Sequence, residues 1–153
     1  YIKPGAINTQ HLADNSTAQC VSVTTIGPIA LSTTDPTTIA TLILDISGVN
    51  SSSCVTVNIS ASTQLVDSPV QLENVVMDLF RDVDGGGFSL ISSKTIYKEG
   101  KLSGANYSAL GHDMIILLDS SPVNGIVTYR VDIEATYLSS ASHITAIAEV
   151  AKR

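Results

Sequence analysis

The chain has 153 residues, enough for one domain with a full core; 44% of them are apolar and only 14% charged. That balance excludes disorder, two cysteines exclude a disulfide scaffold, and no apolar run reaches the length that spans a bilayer, so membrane insertion is not expected. Eight basic against 14 acidic residues, a net charge of -6 with no basic cluster, exclude nucleic acid as the expected partner.

Residues 1–18 read as a connector from a longer fibre or stalk. The chain opens on Tyr rather than Met, Pro4-Gly5 signals a turn, and Ile7, Leu12 and Ala13 are isolated apolar anchors among polar residues. Residues 19–153 read as a single β-domain. Val, Ile and Thr make 45 of the 153 residues, and their branched side chains suit a pleated surface better than a helix. Eight strands are predicted, over 20–26, 38–46, 54–60, 71–81, 88–97, 112–119, 126–136 and 143–150. Gly, Pro, Asn or Asp turn chemistry separates them.

Cys20 and Cys54 open the first and third strands, 34 residues apart, which fits no zinc spacing. They form a disulfide if those strands are neighbours, and are two unpaired thiols otherwise. The third strand points Val55, Val57 and Ile59 to one face. The fourth, 71–81, has apolar residues on both phases and is long enough that a helix is the chief alternative. Asp82-Val83-Asp84-Gly85-Gly86-Gly87 resembles the start of a calcium loop, with Gly87 at position six. Position twelve is Ser93 instead of the bidentate Glu, so the segment reads as a hairpin tip, with Asp82 and Asp84 as a weak metal candidate only.

The sixth strand, Met114-Ile115-Ile116-Leu117-Leu118, is apolar on both phases and must be covered on both faces, most simply by a neighbouring subunit. Met114, Ile116 and Leu118 are therefore candidate interface residues, joined by Ala146 and Ala148 of the last strand, whose small side chains permit close approach near a symmetry axis. In the seventh strand Val127, Tyr129, Val131, Ile133 and Ala135 alternate with polar residues, the pattern of one dry and one wet face.

Chemistry-bearing constellations are few. His11, His112 and His143 lack metal spacing, His112-Asp113 has no Gly-x-Ser-x-Gly nucleophile turn to serve, and Glu73, Glu99, Glu134 and Glu149 lie on separate elements. No catalytic residue and no cofactor is expected. Asn-x-Ser/Thr sequons stand at Asn15, Asn50, Asn58 and Asn106.

Two stretches carry a resemblance. Ala6-Ile7-Asn8-Thr9-Gln10-His11-Leu12-Ala13-Asp14 resembles the connector of phage tail and baseplate fibres and of collagen-like surface proteins of spore-forming bacteria. Leu118-Asp119-Ser120-Ser121-Pro122, with Gly125, Thr128-Tyr129-Arg130 and the closing Ile144-Thr145-Ala146-Ile147-Ala148-Glu149-Val150, is similar to the end of β-sandwich head domains on such fibres. Ser121 between Asp and Pro, and Ala148 in the last run, depart from the pattern. The resemblance implies an antiparallel eight-stranded jelly-roll-like sandwich, a homotrimer, exposed on a particle surface such as an exosporium, cell surface or virion fibre. The function it implies is non-enzymatic trimer assembly and surface attachment. The alternative is recognition of a surface glycan or host-surface receptor, for which Tyr97, Tyr107 and Tyr137 are the aromatic candidates.

Overall fold

The computed structural model describes residues 19–47 and 54–151. The connector, His11 and the sequons at Asn15 and Asn50 lie outside these residues. Ten strands are described: β1 (Gln19–Thr25), β2 (Ile29–Ala30), β3 (Thr37–Asp45), β4 (Cys54–Ser68), β5 (Leu72–Val83), β6 (Ser89–Glu99), β7 (Lys101–Ser103), β8 (Asn106–Asp119), β9 (Ile126–Glu134) and β10 (Leu138–Ala151). All pairings are antiparallel. One sheet runs β1-β10-β4-β8-β7, with β2 also on β10; the other runs β3-β9-β5-β6.

Setting aside the short β2 and β7, eight long strands pair first with last, second with seventh, third with sixth and fourth with fifth. That is one long hairpin rolled up into two facing sheets, the jelly roll. Alternation builds the core between them. Leu42, Leu44 and Ile46 enter from the β3 side, Val55, Val57 and Ile59 from β4, Val75, Met77 and Leu79 from β5, and Val127, Tyr129, Val131 and Ile133 from β9, all buried. Each large apolar side chain so enclosed contributes on the order of 1.5–3 kcal/mol relative to exposure.

Residues 72–81 are strand rather than helix, because Val75, Met77 and Leu79 fill the core while Val76, Asp78 and Phe80 alternate outward. Three strands exceed their expected length by six residues or more. β4 continues through Ala61, Thr63 and Leu65, which face inward although two of them are small or polar. The expected turn at 100–111 holds a further hairpin, β7 to β8, closed at Gly104 with φ 71°. β10 begins five residues early, at Leu138, and crosses a register shift between Ser142 and Thr145.

One expectation is corrected and one open alternative is decided. Ala146 and Ala148 are fully buried and face the core, so they cannot line an interface with the outward-facing β8 residues. Cys20 and Cys54 are free. β10 lies between β1 and β4, and two strand spacings of about 4.8 Å put the backbones beyond the roughly 7 Å limit for a disulfide.

Candidate functional site

The outer face of the larger sheet is built by register. Leu118 lies opposite Thr56, Ile116 opposite Asn58, Met114 opposite Ser60, and His112 opposite Ser62. On the next strand Thr145 continues the Ser60 row and Ile147 the Asn58 row. Since side chains alternate along a strand, the phase that sends Ile115 and Leu117 into the core sends Met114, Ile116 and Leu118 to the surface. They are 78%, 57% and 45% exposed. Between β8, β4 and β10 lies a depression of about 350 Å³, lined mainly by Asn58, Ser60, Met114, Ile116, Thr145 and Ile147, with Lys94 reaching it from β6. The exposed apolar stripe thus follows one strand and is bordered by Ser, Asn and Thr.

The other sheet covers part of its outer apolar surface itself. The Arg130 guanidinium carbon lies 4.6 Å from the Phe80 ring centroid and 4.4 Å from that of Phe88, and its Nε is 3.1 Å from Asp132 Oδ1. The exposed Ile43, Leu90 and Ile126 of that sheet sit on three different strands.

His112 sits at the end of the stripe. Its Nδ1 is 3.1 Å from Ser62 Oγ, and its Nε2 contacts Ser60 Oγ. These partners, about fifty residues away along the chain, could not be seen from the sequence; only the β4–β8 register brings them together. Asp113 does not join them. It turns to the opposite side of β8, where its Oδ2 receives Lys98 Nζ at 3.1 Å and the Thr63 hydroxyl. Among the described residues, the Ser-His-Ser contact therefore has no carboxylate to orient the imidazole and stabilise its protonated form during nucleophilic catalysis. His143, with φ 49° at the β10 irregularity, has Nδ1 3.2 Å from Ser142 Oγ.

The three tyrosines are spread out. Tyr97 is 65% exposed on the four-stranded sheet, opposite Asn74. Tyr137, in the β9–β10 connection, lines a depression of about 380 Å³ with Leu72, Asn74, Glu134 and Thr136 among others. Tyr107 is on the larger sheet, against Gly100, and lines a separate depression with Gln71, Glu99 and Lys101.

Asp82 and Asp84 serve the backbone. Asp82 Oδ1 accepts the Gly87 N–H at 3.2 Å, and Asp84 Oδ1 accepts the Ile126 N–H at 2.9 Å. Among the described residues, no group of three or more His, Cys, Asp and Glu side chains is placed to hold a metal ion, and no helix is long and apolar enough to cross a membrane.

No family model and no curated protein matches the chain. Solved structures align over 90% of it at low identity. The structure of infectious bursal disease virus Gx strain aligns at 11% identity with a TM-score of 0.49, over 33% of that chain. T=1 particles derived from infectious bursal virus align at 9% and 0.49, over 32% of that chain. The VP2 subviral particle of infectious bursal disease virus aligns at 9% and 0.42, over 34% of that chain. The chain thus spans about a third of the length of these matches.

Proposed function

We propose that this domain is a non-enzymatic head at the C-terminal end of a surface fibre or collagen-like filament, where it assembles as a homotrimer and mediates surface attachment. The observation that carries the reading is the exposed Met114, Ile116 and Leu118 stripe with the depression beside it. Water pays no part of the cost of leaving such a stripe uncovered, and burial between copies returns about 25 cal/mol for each Å² of apolar surface. The trimeric order and the particle-surface location rest on the resemblance of residues 6–14 to fibre connectors and of 118–122, Gly125, 128–130 and 144–150 to fibre heads.

Sedimentation equilibrium tests the assembly. A threefold mass is expected in the micromolar range, and only monomer at roughly 100 μM, where weak interfaces are populated, overturns it. Ile116→Asp should give a folded monomer, because Ile116 is 57% exposed in the single chain and its new carboxylate is desolvated only in the assembly.

A second reading, recognition of a surface glycan, is favoured by Tyr137 standing beside Asn74 and Glu134, an aromatic face among hydrogen-bonding groups. A glycan screen with Tyr137→Ala as the comparison tests it. Binding lost in that variant supports it; no binding by the native domain removes it.

A further inference from the structure

The outer face of the larger sheet carries a titratable group next to its apolar stripe. His112 lies two residues from Met114 on the same face of β8, and its imidazole reaches across to Ser60 and Ser62 of β4. Ser60 is also Met114's partner in the ladder and part of the depression. We propose that His112 makes assembly through this face proton-sensitive, so that acidification dissociates the trimer; the inference rests on the assembly reading above.

The surroundings give the sign. On β8, Asp113 faces the other way and is held by Lys98 and Thr63. The β4 residues at His112, Ser60 and Ser62, carry no charge. From β10 come His143 and Glu149, and Glu149 lies in the Thr56–Leu118 row, at the far end of the stripe. From β6, Lys94 reaches the depression. Among the described residues, no carboxylate is bonded to the imidazole, and the charged residue that lines the depression is the cation Lys94.

In the free domain a protonated imidazole keeps both serine oxygens as acceptors and its exposed edge in water. In the assembly the same charge loses water beside an apolar stripe, with equivalent cations brought closer by the other copies. Assembly therefore expels protons. It is strongest where the imidazole is neutral and weakens as acid protonates it. If each of three copies excludes one proton, the overall association constant falls by up to about a thousandfold per pH unit on the acidic side.

Sedimentation of the native chain, His112→Gln and His143→Gln at about pH 8 and about pH 5.5 tests this, with circular dichroism at both values. The expected result is native trimer at the higher pH, folded monomer at the lower, His112→Gln trimeric at both, and His143→Gln behaving as native. A native trimer at both values overturns the proposal and leaves the assembly reading standing. Equal acid dissociation of His112→Gln, or loss of folded signal at the lower pH, also overturns it. Monomer at both values defeats the assembly reading, and this proposal falls with it.

Discussion

Asp119 closes β8 at 1% exposure and is the most heavily engaged side chain of the core. Arg81 Nη1 donates to both its oxygens at 3.1 and 2.9 Å, the Tyr129 hydroxyl donates at 2.7 Å, and the Ser121 N–H donates at 3.1 Å. Arg81 and Tyr129 come from the four-stranded sheet and Asp119 from the larger one, so the cluster ties the two layers together. Asp119→Ala leaves the Arg81 guanidinium without its counter-charge and should cost on the order of 3–5 kcal/mol in chemical denaturation, whereas Tyr129→Phe should cost about 1–2 kcal/mol. Burial, then the hydrogen bond to Asp119, raises the Tyr129 phenol far above its ordinary value of 10.0. Above that ordinary value the unfolded chain loses the phenolic proton and the folded chain keeps it. Stability is therefore intact below about pH 10 and declines above it, by up to about 1.4 kcal/mol per pH unit from this group. Denaturation midpoints from pH 9 to about pH 11 should fall more steeply for the native protein than for Tyr129→Phe. Asp119 continues the Ile115, Leu117 phase, a signal of burial that the sequence analysis did not use, and a carboxylate on a buried phase demands partners. That Arg81 would supply one is not legible in the sequence, since nothing local links residues 38 positions apart.

At the scale of elements, β-branched runs bounded by turn residues located all eight long strands, and what escaped them has a common cause. The extensions of β4 and β8 mix Leu65, Val66, Tyr107 and Leu110 with Ser, Thr, Gly and Ala in no regular apolar pattern, and are held by ladder bonds whose partners lie about forty to fifty residues away. The two-phase pattern of Met114–Leu118 identified an outward apolar stripe because a strand has only two faces. Ala146 and Ala148 misled because a small side chain suits a crowded core as well as a close approach between copies. The β5–β6 hairpin tip shows the same dependence on a distant partner. Asp84, at φ 51°, is held by Ile126 from the start of β9, where Gly125 has φ 137°. A Cβ at Gly125 would sit 2.7 and 2.9 Å from the Asp84 carboxylate oxygens. Moving that carboxylate breaks its bond to Ile126, and the backbone angle is itself strained for any residue with a side chain. Gly125→Ala should therefore lower the unfolding free energy by about 1–3 kcal/mol, read as a shift of the denaturation midpoint at unchanged slope.

For the whole molecule, the pairing of first strand with last is the most demanding contact to form. Gln19 meets Val150, while at the other extreme Arg81 meets Ser89 across a short loop. Loop closure therefore orders assembly outward from the β5–β6 hairpin, and such non-local pairing places folding in the millisecond-to-second range. β10 occupies an inner position between β1 and β4, and supplies Ile144, Ala146, Ala148 and Val150 to the core. A chain ending at Tyr137 should show no cooperative thermal transition, and a partial cooperative melt would show that the remaining strands form a unit by themselves. During synthesis the consequence is one of timing. β1 emerges early and then waits, its strand edge and apolar side chains open to other nascent chains, until the final fourteen-residue strand has left the ribosome. At about 5–20 residues per second that wait lasts about 6–25 seconds, long enough for a holding chaperone to decide how much of the protein reaches its folded form.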